Sequence, residues 1–189
     1  MGFNPATFLK NLERVVSGYG FKRVIQGIDI NALRDADGII LTAATEPSRE
    51  ALETNFDGTV VSSSETDLGS LSFQVPRDYD KTVDEMRVRF LANSGGDTNT
   101  PTIDAVLYQK KIETAISADL NPTISAAVQT NTAKADWVEV VADGLGLEPG
   151  AAVTWIFTTG AHTTDALNVY AIEVEYFSDL VYYDSDDRS

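Results

Sequence analysis

The chain has 189 residues, with 14 basic and 29 acidic side chains, a formal net charge of −15 at pH 7, one histidine and no cysteine. That length suits one domain plus an extension and is enough to bury a core without disulfides or metal. Lack of cysteine excludes thiolate nucleophiles, thiol redox chemistry and Cys-based zinc sites, and the acidity makes nucleic acid a poor partner.

The charge is uneven along the chain. Residues 1–34 carry five basic and two acidic side chains, so the remaining residues hold a net −18. The longest apolar runs fall far short of the roughly 20 residues that a membrane helix needs. The N-terminus has no cationic segment followed by an apolar one, so no secretion signal is read there. The expectation is a soluble protein made in a cytoplasm, with no membrane partner.

The first element is a short helix over 5–17. Asn4 is placed to cap it and Pro5 sits where its missing N–H costs nothing. Phe8, Leu12, Val15 and Val16 form one apolar stripe, and Gly18 stops the helix. A helix this short needs a surface to pack on: its own domain, or another subunit on which residues 1–67 lie as an arm. Residues 38–43 and 59–62 are strand candidates within this less regular third.

From residue 68 onward the pattern changes to period two. Leu71, Phe73 and Val75 alternate with Ser70, Ser72 and Gln74. Met86, Val88, Phe90 and Ala92 alternate with Glu85, Arg87 and Arg89. Val153, Trp155 and Phe157 alternate with Thr154 and Thr158, and Tyr170, Ile172, Val174 and Tyr176 with Glu173 and Glu175. One apolar face per strand is what a half-buried antiparallel strand requires. Strands are expected near 69–75, 84–93, 102–109, 123–129, 136–143, 152–159 and 167–178, with turns at 75–80, 93–99 and 147–150. Residues 110–122 read as a strand extension or a short helix. The fold class is all-β: an antiparallel, jelly-roll-like β-sandwich over 68–183, after an N-terminal arm over 1–67 and before a flexible acidic tail over 184–189.

The chemistry of an enzyme is missing. The single histidine, His162, lies in a polar turn without a Gly-x-Ser-x-Gly elbow, and one histidine cannot make a multi-histidine metal site. Asp78, Asp80 and Asp84 have the oxygen chemistry for calcium, but lack the glycine and terminal glutamate of an EF-hand loop. Side-chain bonds that stabilise the turn are the simpler role. Gly144-Leu145-Gly146-Leu147 lacks the third glycine of a dinucleotide fingerprint. Trp137, Trp155 and the tyrosines are candidates for a sugar-binding face, although Trp155 shares its face with Val153 and Phe157 and reads as core. Tyr182 and Tyr183, just past the last strand, suit a contact surface. No catalytic, cofactor-binding or metal-binding residue is assigned, and no cofactor is expected.

Phe73-Gln74-Val75-Pro76-Arg77-Asp78-Tyr79-Asp80 leading into Met86-Arg87-Val88-Arg89-Phe90, then Thr154-Trp155-Ile156-Phe157, and finally Asp165 to Tyr176, resembles the small jelly-roll virion proteins of tailed bacteriophages. These are capsid decoration (cement) proteins and head- or tail-fibre modules. The resemblance implies a non-enzymatic virion component, made in the host cytoplasm, that binds the outside of the phage head and stabilises it. It would oligomerise as a trimer or dimer and grip the major capsid protein or other virion proteins. On that reading Phe3, Phe8, Leu12, Arg14, Lys22, Arg23, Tyr182 and Tyr183 contact the partner. The alternative is a glycan-binding tail or fibre module that uses exposed aromatic and acidic side chains such as Tyr182, Tyr183 and Asp97.

Overall fold

Alternation of apolar and polar side chains settles the architecture, because each strand can bury only one of its faces. A computed structural model describes residues 22–35, 37–54, 56–98, 100–124, 134–160 and 163–179, without the side chains of Lys22 and Ile124. The helix expected over 5–17, residues Phe3, Phe8, Leu12, Arg14, His162, Tyr182 and Tyr183, and the tail over 184–189 lie outside those residues.

The strands are β1 (Lys22–Ile28), β2 (Ser48–Glu53), β3 (Phe56–Val61), β4 (Asp67–Gln74), β5 (Glu85–Ser94), β6 (Thr102–Lys110), β7 (Thr123–Ile124), β8 (Asp136–Asp143), β9 (Ala152–Gly160) and β10 (Leu167–Ser178). One sheet has the order β2-β3-β10-β5-β8-β7; β1 joins it by pairing with Ile172–Ser178 of β10, beyond the part that β3 pairs. The other sheet is β4-β9-β6, and every pairing is antiparallel. β4, β5 and β6, and again β8, β9 and β10, alternate between the sheets. The all-β, antiparallel, jelly-roll-like sandwich is therefore the fold.

Among the described residues, the sandwich already includes those from 22 onward and does not wait until 68. β1, β2 and β3 are integral to the large sheet, so residues 22–61, expected in an arm, belong to the body. Of the early strand candidates, 59–62 falls on β3, whereas 38–43 is a turn with a single bridge, Arg34 to Ile40. Of residues 110–122, Lys110 ends β6 and bridges Ile116, and 111–122 otherwise form neither strand nor helix. They fold back along β6, where Ser117 N–H reaches the Gln109 carbonyl (2.9 Å), Leu120 N–H the Leu107 carbonyl (2.9 Å), and the Asp119 carboxylate accepts from Leu107 N–H (3.0 Å). At the opposite edge, Arg34 exchanges two backbone bonds with Ser70 of β4 (3.0 and 2.6 Å). Both edges of the small sheet are thus occupied, which removes templates for unwanted pairing. Gly69 permits this approach: its φ is +135°, and a Cβ there would stand 2.5 Å from the Arg34 carbonyl oxygen.

The core lies between the sheets. Met86, Val88 and Phe90 of β5, Val140 of β8 and Ile172 of β10 meet Leu71, Leu107, Trp155 and Phe157 of the small sheet. Phe90 packs edge-on against Phe157 (centroids 4.8 Å apart, 82°), and Phe157 stacks on Trp155 (6.1 Å, 9°). Trp155 is fully buried, as its alternation implies.

The three turn aspartates act as ties. Asp78 accepts from the Tyr176 hydroxyl (3.2 Å) and the Ser178 hydroxyl (2.7 Å); burial, then the Asp78 charge, push the Tyr176 phenol up to about 12. Asp84 accepts from the Tyr79 hydroxyl (3.1 Å), Gly146 N–H (2.7 Å) and Leu147 N–H (3.2 Å), pinning the loop between β8 and β9 to the start of β5. Asp80 accepts from the Thr82 hydroxyl (2.6 Å) and Thr82 N–H (2.7 Å), and those bonds, the hydroxyl's first, hold its carboxyl below the usual range. A depressed folded pKa adds stability above the ordinary carboxylate value, which is lost as pH falls through the depressed value. Asp80→Asn is therefore expected to destabilise at neutral pH and to converge on the parent at an acid pH below the depressed value. Urea titrations at both pH values check this; a gap between the two proteins that does not narrow in acid contradicts it.

Candidate functional site

Three central strands of the large sheet turn their polar phase outward, and the register stacks those side chains in rows. Trp137 of β8 faces Leu91 of β5, which faces Ala171 of β10. In the next row come Glu139, Arg89, Glu173 and Gly27, and in the third Val141, Arg87, Glu175 and Ile25. Side chains directly opposite on antiparallel strands stand about 4.5–5.5 Å apart, so opposite charges in one row meet.

The rows form a continuous ion-pair network. Arg89 bonds Glu173, and its Nε is 3.0 Å from Glu139. Arg87 reaches Glu139 (2.9 Å) and Glu85 (2.6 Å). Glu175, only 2% exposed, sits among Arg23 (2.5 Å), Arg89 (3.6 Å) and Arg87 (3.9 Å). The hydrogen bond to Glu175, with its charge, raises the Arg23 pKa further above its ordinary value. Charged and bidentate pairs of this kind hold planar groups in fixed orientations.

Aromatic side chains border the network on two sides. The Arg89 guanidinium lies 5.0 Å from the centre of the half-exposed Trp137 ring, a cation–π contact that fixes the indole against the sheet. Toward β3, Tyr170 stands at a bulge of β10 between Val169 and Ala171. Its ring packs 5.7 Å from that of the exposed Phe56, and its hydroxyl points at the Asn93 side-chain oxygen (3.4 Å). Asn93, at the junction of the strand expected over 84–93 and the turn expected over 93–99, is buried in the last residues of β5, and its side-chain oxygen also accepts from Asn168 (3.1 Å). Between the aromatic borders the small side chain of Ala171 keeps the surface low.

Rigid charged forks beside aromatic rings can accept and donate hydrogen bonds to a polyhydroxylated ligand while a ring covers its apolar face. Glu139 accepts from Arg87, Glu173 from Arg89 and Glu175 from Arg23. Among the described residues, no group of three or more His, Cys, Asp or Glu side chains is placed to hold a metal ion.

Of the residues expected to contact a partner, Arg23 is in this face and Lys22 is placed only by its backbone pairing with Ser178. Phe3, Phe8, Leu12, Arg14, Tyr182 and Tyr183 lie outside the described residues. Asp97 is exposed on a loop away from the rows. Arg87, Arg89, Glu139, Glu173 and Glu175 were visible only as the polar phase of strands, and Tyr170 only as an apolar-phase residue. The signal that marks them is charge of opposite sign in the outward phase of three separate strands.

No family model matches the chain, and no curated protein matches it. Among solved structures, it is similar to the CBM22-1–GH10 modules of the Clostridium thermocellum N-terminal endo-1,4-β-D-xylanase 10B, solved with xylohexaose. The identity is 16% and the TM-score 0.47, with 84% of this chain and 28% of that chain covered. It is also similar to TmCBM61, solved with β-1,4-galactotriose, at 10% identity and a TM-score of 0.34, covering 84% of this chain and 91% of that chain. The chain thus spans little more than a quarter of the first of these two proteins.

Proposed function

We propose that the protein is a non-catalytic glycan-binding module whose ligand lies along the outer face of the large sheet. The observation that carries this reading is the Trp137 indole, held by Arg89 beside Glu139 and bordered across the sheet by Tyr170 and Phe56. An aromatic ring covers the C–H face of a pyranose, and flanking carboxylates and guanidinium groups bond its hydroxyls. The arginine–glutamate network sets these groups before ligand arrives, so little side-chain entropy is lost on binding. The virion-decoration reading rests on a resemblance of the strands within 73–176, and six of its eight contact residues (Phe3, Phe8, Leu12, Arg14, Tyr182 and Tyr183) lie outside the described residues, whereas the glycan reading rests on described side chains.

Isothermal titration against a panel of soluble neutral and acidic polysaccharides tests this. At least one is expected to bind, and Trp137→Ala, a half-exposed position, is expected to weaken that binding by about 30-fold or more while leaving the fold intact. Unchanged affinity in Trp137→Ala sinks this site.

A further inference from the structure

We infer that the β2–β3 hairpin carries a second site, for an oxyanion group (carboxylate, sulfate or phosphate), between Arg49 and Thr59. These two residues are directly opposite in register, so their side chains leave the same side of the sheet within reach of one group. Thr59 also pairs with the fully buried Val169, which places this pair on the inner side, away from the Trp137 face. Arg49 Nη1 and Thr59 Oγ1 are both buried, and neither has a hydrogen-bond partner. Thr59 is 0% exposed.

A guanidinium cannot lose its proton, so a buried N–H of Arg49 requires an acceptor. Leaving such a donor unpaired is costly, and two unpaired groups opposite each other in register can share one acceptor. The local acids do not supply it. The Glu50 carboxylate is turned to the Ser48 hydroxyl (2.5 Å), and Arg49 is tied through its backbone N–H to the Thr42 carbonyl (2.9 Å). Other unpaired buried atoms lack this arrangement: Arg89 Nε lies 3.0 Å from Glu139, and Trp155 Nε1 sits within the apolar core. An oxyanion offers several lone pairs to two donors, and screening at physiological salt confines the repulsion of the acidic body to about 8 Å.

The test is thermal denaturation of the full chain in sulfate, phosphate, acetate and glucuronate, each against sodium chloride at matched ionic strength, with titration calorimetry on any anion that responds. Parent protein is expected to show a saturable rise in Tm with at least one of them. Arg49→Gln should lose the saturable part and keep only the general, non-saturating stabilisation of sulfate and phosphate. Thr59→Val, which keeps the shape, should weaken the anion about tenfold. Without added oxyanion, Arg49→Gln should melt no lower than the parent, because it removes a buried N–H group that has no acceptor. Response to inorganic ions alone identifies a free-ion site; response to glucuronate but not acetate identifies a uronate carried on a sugar. Equal responses in the parent and Arg49→Gln for every anion overturn the inference, whatever the Trp137 face binds.

Discussion

Glu175→Ala is expected to cost about 3 kcal/mol or more of unfolding free energy, whereas Arg23→Ala, which removes the nearest partner of Glu175, costs far less. The asymmetry follows from exposure: Glu175 is 2% exposed and Arg23 52%. Removing the carboxylate leaves Arg87, Arg89 and Arg23 turned toward one another around an empty centre, in a partly desolvated layer. Removing Arg23 leaves Glu175 with two guanidinium groups and lets water in from the β1 side. The value for Glu175 is set at the lower end of what a broken buried pair costs, because its partners retain Glu139, Glu173 and Glu85. Urea denaturation of both variants measures the difference. Equal costs would mean that the network is a solvated surface feature and not a preorganised one.

Trp155→Ala is expected to cost about 3–5 kcal/mol, while Trp155→Phe costs much less. Trp155 sits at the middle of the small sheet, between Leu71 and Leu107 in register, and joins the Phe157–Phe90 contact that links the two sheets. Truncation to alanine opens a cavity at the point where the layers touch, and close-packed neighbours relax only in part. Phenylalanine keeps most of the stack and also removes the indole N–H, which has no acceptor in the core. Deleting an unsatisfied buried donor returns about 1–3 kcal/mol against the lost volume. Thermal and urea unfolding of the two variants decide the point; equal destabilisation would show that the ring volume phenylalanine retains contributes nothing, and would contradict the cavity argument.

The core strands were legible because burial on one face leaves a period-two trace. β5, β8, β9 and β10 fall within a residue or two of the positions that alternation marks. β1 and β2 were not legible, for a physical reason. β1 leaves Arg23, Ile25, Gln26 and Gly27 exposed, and β2 (Ser-Arg-Glu-Ala-Leu-Glu) buries only its first side chain fully. Strands that bury so little carry no alternation, and pairing with β10 and β3 supplies what the side chains do not. The candidate face was half legible. Outward charges could be read within each strand, but Arg87 meets Glu139 across 52 residues, Arg89 meets Glu173 across 84 and Arg23 meets Glu175 across 152. Which charges pair depends on register, and register is set by turns and by the buried face. The Arg49–Thr59 pair carried no sequence signal, because an unpaired buried atom is defined only by what fails to surround it.

The most direct measurement is calorimetric titration of the full chain and of Trp137→Ala with the same polysaccharide panel. The account predicts saturable binding of at least one polysaccharide by the parent and loss of about 30-fold or more in the variant, with unfolding midpoints that agree. Binding that survives Trp137→Ala unchanged, or a parent that binds none of the panel, would contradict it.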